Sequence, residues 1–264
     1  MQTTIPMRKA VKLLAAFILA FQVQAQAQMN DRSVTLYQYR RVADNKRDEF
    51  IKRETTYWSK VAKRAVDKKQ LTFWALLEKV GGADEANSSN FLFVNTYTNI
   101  DSAGAVWGSA EKITGMKMAQ IETNSISTTT ADFFLKGQDW AQAKNAVPEK
   151  DFNYVVMVYH NTNNPDSLIS LEKTYWHPFI QKSMDDNMTS QKAWGNSIVL
   201  SPSAPDINFT TVSYDLYQNL TDALMPNFGP GTVFPYEGLT KINGIEVSRR
   251  TSVVYRIVKV VSAN

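Results

Sequence analysis

Two glutamates stand on helix faces that otherwise read as apolar. Glu54 opens Glu54-Thr55-Thr56-Tyr57-Trp58 and Glu172 opens Glu172-Lys173-Thr174-Tyr175-Trp176. Each lies on the stripe of a predicted helix, one turn before a Tyr-Trp pair. A carboxyl directed into a half-buried site loses hydration in its charged form. Its pKa then rises, and it can serve as general acid or base. The same position suits a plainer role, a stripe-edge residue bonded to a neighbouring strand, and its occurrence in both segments favours that role. The chain's two histidines, His160 and His177, fall only in the second segment, opposite Val42 and Ser59 of the first. Such asymmetry suits a single site, so Glu172, His177 and His160 are the candidate catalytic residues. His177 follows the helix entrance by about 11 residues, which puts the histidines ~16 Å apart along a straight helix. That spacing sets them against sharing one metal ion. The aromatics Tyr57, Trp58, Trp74, Tyr175, Trp176 and Trp194, with Glu54, are the candidate ligand pocket. They make either a core layer between helix and strand or a pocket for a flat apolar or aromatic molecule.

Other chemistry is poorly supplied. There are no cysteines, hence no disulfide, thiolate nucleophile or thiolate metal site. With two histidines no dedicated metal site is expected. No phosphate loop, dinucleotide glycine pattern, zinc-protease helix or nucleophile elbow is present. Gly229-Pro230-Gly231 reads as a turn.

The elements that must position these residues occur twice. At the same offset of 118 positions, Asn45 matches Asn163, Asp48 matches Asp166, Ile51 matches Ile169, Asp67 matches Asp185 and Phe91 matches Phe209. One supersecondary unit has been duplicated. Each copy opens with a strand, Val34 to Arg41 or Phe152 to Tyr159, and the second of these is apolar at nearly every position, as expected for burial on both faces. A helix follows, with Asp48 or Asp166 in its first turn and Pro165 at its start in the second copy. Pro178 is expected to kink or end that second helix. Next come a strand with Trp74 or Trp194, a turn-rich loop at 81–90 or 201–208, a strand from Phe91 or Phe209, a second helix, and a fourth strand, Thr130 to Leu135 or Ser252 to Val261. Pro226 and Gly229-Pro230-Gly231 interrupt the second helix of copy two. The order is β-α-β-β-α-β, a ferredoxin-like unit. The expected fold is α+β: two tandem units whose bare sheet faces pack into a pseudo-two-fold barrel with helices outside. The units span 29–140 and 151–264, joined by a linker at 141–150.

Residues 1–28 read as a secretory signal peptide: Arg8, Lys9 and Lys12, then an apolar run from Leu13 to Phe21, then small-residue cleavage sites. The run is too short to span a bilayer, which needs about 20 residues. Export to a bacterial periplasm or beyond the cell is expected, with no membrane span in the mature chain. Removing three basic residues leaves 26 Lys+Arg against 25 Asp+Glu, so nothing electrostatic points to nucleic acid.

The pattern Glu172, Trp176, Pro178, then Trp194 opening a strand resembles secreted bacterial members of the dimeric α/β-barrel superfamily. That grouping includes antibiotic-biosynthesis-type monooxygenases, stress-responsive barrel proteins and NIPSNAP-like proteins. The resemblance covers both units and implies a pseudo-dimer within one chain, hence a monomer. It also implies a range of functions: cofactor-independent or haem-dependent monooxygenase, haem degradation, isomerisation, or no activity. No haem motif of the superfamily matches here residue by residue, so no cofactor is assigned, although the resemblance allows either histidine to ligate haem as a histidine does in some members. The leading expectation is a protein that binds a small apolar or aromatic molecule; a monooxygenase-like enzyme and a ligand-free structural or interaction protein are the alternatives.

Overall fold

The computed structural model describes residues 32–81, 88–202 and 208–263. The leader lies outside the described residues, as does most of each turn-rich loop. The chain runs β1 (Val34–Val42), α1 (Arg47–Arg53), a π-helical turn (Glu54–Trp58), α2 (Ser59–Asp67), β2 (Leu71–Lys79), β3 (Phe91–Tyr97), three short helices α3 (Ala103–Trp107), α4 (Ala110–Thr114) and α5 (Met118–Ile121), and β4 (Ser127–Gln142). It continues through α6 (Pro148–Asp151), β5 (Tyr154–His160), α7 (Pro165–Leu171), a second π-helical turn (Glu172–Trp176), α8 (His177–Asp185), β6 (Ala193–Ser201), β7 (Thr211–Tyr217), α9 (Leu220–Leu224), α10 (Tyr236–Gly244) and β8 (Thr251–Ser262).

All eight strands join one closed antiparallel barrel in the order β1-β3-β2-β8-β5-β7-β6-β4. Two strands close it by doing two jobs each. β4 pairs with β1 through Ser127–Leu135 and with β6 through Phe134–Gln142. β8 pairs with β5 through Thr251–Arg256 and with β2 through Tyr255–Ser262. β4 is therefore longer than the strand expected at Thr130 to Leu135. Its last residues, Ala141 and Gln142, occupy the start of the expected linker, and α6 occupies its end. Register shifts at Tyr39/Arg40, Leu76/Leu77 and Gly137/Asp139 let the strands coil enough to close.

The interior holds one cluster fed by every strand, including Tyr37, Ala75, Leu92, Phe133, Val155, Ala193, Val212 and Tyr255. Its tyrosines satisfy one another. Tyr39 donates to Tyr159 (2.9 Å) and Tyr159 bonds Tyr255. Burial pushes Tyr214 and Tyr255 up to about 12, so these hydroxyls stay neutral. Alternation along each strand sends the other side chains outward under the helices. There Phe50, Trp74 and Phe91 build the layer of the first half, and Ile180, Met184 and Trp194 that of the second.

The helices start and stop for local reasons. Asn164 accepts from the Ser167 amide (3.1 Å) and Pro165 takes the first turn of α7, with Asp166 beside it. α2 and α8 end alike, on left-handed Lys69 (φ 58°) and Asn187 (φ 55°). Gln70 N–H reaches Ala65 O and Met188 N–H reaches Ser183 O, closing the last turn of each. Pro178 does not end its helix. It sits in the first turn of α8, directly after the π turn, where its missing N–H is easily spared. The first half has the same π turn without a proline, so Pro178 is not its cause. In both halves a threonine hydroxyl bonds the carbonyl four residues back, Thr55 to Ile51 and Thr174 to Ser170 (2.7 Å each), supplying a donor where the helical ladder widens. No helix among the described residues is long and apolar enough to cross a membrane.

Candidate functional site

Both π turns begin on the glutamate, and both glutamates are buried: Glu54 is 4 % exposed and Glu172 5 %. A π turn widens the helix by one residue and re-aims the side chains around it. Here the carboxyls lie beneath the helices, against the outer face of the barrel.

Around Glu172 the sheet is polar where a core face would be apolar. Val212, Tyr214 and Leu216 of β7 belong with the interior set, so Ser213 and Asp215 face outward; the same alternation turns Asn196 and His160 outward. Asn196 Nδ2 donates to Glu172 Oε2 (2.7 Å) and Ser213 Oγ contacts Glu172 Oε1 (2.8 Å). His160 Nε2 lies 3.0 Å from Ser213 Oγ, and its Nδ1 lies 2.7 Å from Glu246 Oε1. Arg250 Nε stands 3.8 Å from Glu246 Oε2. A continuous chain thus runs Asn196–Glu172–Ser213–His160–Glu246–Arg250. His160 is 2 % exposed and Asn196 fully buried. At the outer end of the chain, Asn243, Glu246, Arg249, Arg250 and Ser252 line a surface depression.

The charges follow from this packing. Burial raises the Glu172 carboxyl above its usual range against the opposing pull of His160, Asn196 and Ser213. Asp215, bonded by Gln191 Nε2 (2.7 Å), is pushed up to about 7 by burial. Glu246 is also partly buried, yet the His160 hydrogen bond and Arg250 outweigh that and hold it below the usual range. The Oδ1 of Asn196 and Oγ1 of Thr211, both buried on this outer face, have no protein partner. The order Glu246–His160–Ser213 is that of an activated serine. Ser213 lies mid-strand, paired with Val158 and Asn196, and Glu172 already stands against its hydroxyl. An oxyanion formed there would meet a carboxyl rather than amide donors, so acid–base work suits the cluster better than acyl transfer.

The structure brings Glu172 and His160 together and separates His177 from them. His177 Nδ1 bonds Asp139 Oδ2 (2.6 Å), and its ring packs edge-on against Trp194 at 5.9 Å. The expected ligand pocket is not assembled either. Glu54 accepts from Thr123 (2.7 Å), and Trp74 packs on Phe93. Tyr57 and Trp58 join a separate cluster with Ile121, whose carbonyl receives the Trp58 indole N–H (2.8 Å). Trp176 and Trp194 lie over α8, and Tyr175 packs beneath Lys241 near the surface. These residues are core layer between helices and barrel, because each indole or ring fills a different inter-element gap. Sequence reasoning missed Ser213, Asn196 and Glu246. A polar residue inside an apolar strand was the available signal for Ser213, which stands at the position of Asn95.

His160 is not placed to ligate a haem without repacking. His160 spends both ring nitrogens on Glu246 and Ser213. His177 leans on Trp194 above a filled cluster with Ala141, Ile180 and Met184. Among the described residues, no group of three or more His, Cys, Asp or Glu side chains is arranged to hold a metal ion.

No protein-family model matches the sequence, and no curated protein matches it. Likeness is to solved structures. A candidate monooxygenase from Lactobacillus acidophilus NCFM is 12% identical with a TM-score of 0.57, covering 88% of this chain and 96% of its own. An anthrone oxidase-like protein is 13% identical, TM-score 0.53, covering 89% and 94%. A chlorite dismutase mutant from Candidatus Nitrospira defluvii is 6% identical, TM-score 0.50, covering 85% and 90%. At such identities the shared feature is the fold, the ferredoxin-like α/β barrel.

Proposed function

We propose that this chain is a monooxygenase-like acid–base enzyme, acting without a metal on a small aromatic molecule with an acidic C–H or O–H, and that Glu172 is the proton-accepting group. The observation that carries the reading is the buried chain from Glu172 through Ser213 and His160 to Glu246. A carboxyl kept out of water has raised proton affinity, and the buried Oδ1 of Asn196 beside it has no protein partner. In the simplest reaction of this class an activated CH2 becomes C=O. One atom of O2 enters the substrate, and the other leaves as water with the two substrate hydrogens. The names of two structural neighbours, a candidate monooxygenase and an anthrone oxidase-like protein, support this class over a pure binding role.

The reading includes export by the 1–28 leader to the periplasm or beyond, a duplicated unit, and a monomeric working form. The 118-residue offset and the like strand order of the two halves, β4-β1-β3-β2 and β8-β5-β7-β6, support the duplication.

The test is oxygen uptake with a panel of phenols and activated-methylene aromatics. Glu172→Gln should lower turnover by about 10²–10⁴-fold, the usual weight of a general base. Glu54→Gln should leave turnover unchanged. Equal turnover in wild type and Glu172→Gln would sink the assignment.

A further inference from the structure

Ser213 presents a counting problem. Its hydroxyl carries one hydrogen and lies between two groups at bonding distance, Glu172 Oε1 at 2.8 Å and His160 Nε2 at 3.0 Å. It donates to one and must accept from the other. If it donates to Glu172, His160 Nε2 carries a hydrogen. The Nδ1 contact with Glu246 at 2.7 Å also needs a hydrogen, so the imidazole is doubly protonated. If Ser213 donates to His160, Glu172 must be the protonated acid and Nδ1–H again serves Glu246. Both fillings hold the same number of protons. That number is one more than an anionic Glu172, a neutral His160 and an anionic Glu246 would hold. They differ by one concerted shift, in which the Ser213 hydrogen passes to Glu172 as the His160 Nε2 hydrogen passes to Ser213.

We propose that Glu172, Ser213, His160 and Glu246 form a proton wire that holds one resident proton and passes it through the Ser213 hydroxyl, between the layer under α7 and α8 and the depression at Arg249 and Arg250. The groups facing it come from every packed element: Asp215 from β7, Asn196 from β6, Glu246 and Arg250 from the segment after α10. Asp215 bears on both Glu172 and His160, favouring retention of the proton, and Arg250 keeps Glu246 an acceptor. The wire goes beyond the catalytic reading, since it exists with or without a substrate. Where Glu172 does take a substrate proton, the wire gives that proton a route to solvent.

The experiment uses the full chain, with histidine labelled with heavy nitrogen in the ring, and needs no substrate. The chain has two histidines, so His160 is assigned by the signal lost in His160→Gln. Nuclear magnetic resonance should find Nδ1 of His160 protonated, as its contact with Glu246 requires. Nε2 should be protonated or rapidly shared. Infrared spectroscopy should find a carboxylic-acid C=O stretch that Glu172→Gln abolishes whenever Nε2 is less than fully protonated. The Nε2 and Glu172 signals should be complementary, since one proton is shared between them. Ser213→Ala should break that complementarity, and Ser213→Thr, which keeps a hydroxyl, should restore it. A His160 ring with one hydrogen and no carboxylic-acid band that Glu172→Gln removes would overturn the proposal. So would a Ser213→Ala spectrum identical to wild type at both His160 Nε2 and Glu172. Failure of oxygen uptake bears only on the catalytic reading and leaves these signals as they are.

Discussion

The two halves meet one problem, a carboxyl forced under a helix by a π turn, and solve it differently. In the first half Glu54 has a single hydroxyl donor, Thr123, with the Arg40 guanidinium nearby, and burial still pushes it up to about 7. Arg40 itself is bound by Asn124 (2.9 Å) and Ser127. In the second half Glu172 has two donors from the sheet and a histidine behind one of them, and the chain continues to the surface. The first arrangement closes on itself and the second leads outward. A buried acid alone is therefore a packing solution, and connection to solvent is what makes it a candidate for proton transfer.

The comparison is broken hardest at His160. Replacing it with its first-half counterpart, His160→Val, leaves Glu246 and Ser213 buried without their partner. The expected loss is about 3–5 kcal/mol in urea or guanidinium unfolding, the usual result of removing one member of a buried pair. A loss under ~1 kcal/mol would show that the chain contributes little to stability.

Glu54 should respond in the opposite sense. Its carboxyl is raised from 4.5 to about 7 in the folded protein, chiefly by burial. The stabilising contribution of the held proton is complete below the unfolded value and is lost as pH rises through about 7. Glu54→Gln keeps the acceptor for Thr123 and removes the charge. At pH near 8 it should gain up to about 3 kcal/mol over wild type, and at pH near 4 almost nothing. Glu172→Gln should gain less, because its amide keeps one acceptor: it can accept from Asn196 but must offer hydrogens to Ser213, whose own hydrogen is then committed to His160. Unfolding midpoints across pH decide the point, and equal gains in both variants would erase the distinction between the halves.

A third difference lies inside the barrel. Ala75 stands opposite Val94 in the first half, and Gly195 opposite Tyr214 in the second. A Cβ on Gly195 would come within 2.5 Å of the Tyr214 ring. Gly195→Ala should cost about 1–3 kcal/mol by overpacking. Adding Tyr214→Val recreates the first-half pair and should recover part of that loss in a double-mutant cycle; no recovery would place the strain elsewhere. The smallest effect belongs to the helix ends. Lys69 takes the left-handed conformation that Asn187 takes in the other half. Asn tolerates it better, so Lys69→Asn should stabilise by under about 1 kcal/mol in thermal unfolding.

Much of the frame was legible because its signals are local. Asp166, Pro165 and the Glu-x-x-Tyr-Trp stripe each act within one helix, and the β-α-β-β-α-β order follows from them. The burial of Glu172 was legible for the same reason. Its partners were not. Glu246 lies 86 residues from His160 and follows an interrupted helix region that has no clear match in the first half. The π turns were hidden because the stripe spacing suits a regular helix equally well. The far end of β4, Lys136 to Gln142, reads as a polar connector and is a strand only because β6 pairs with it, a tertiary effect that overrides local propensity. The aromatic pocket failed for a related reason: large rings at helical spacing do not reveal which gap each one fills.

The double duty of β4 and β8 changes what dilution and mutation can do. If the seams joined separate molecules, their occupancy would depend on concentration and every substitution would appear on both sides at once. Here one covalent chain closes both seams, at an effective concentration that short tethers place in the millimolar range. The ring of strands stays shut however dilute the surroundings. A substitution on one side also appears once, and His160 with Glu246 is such a pair, present on one side of the barrel only.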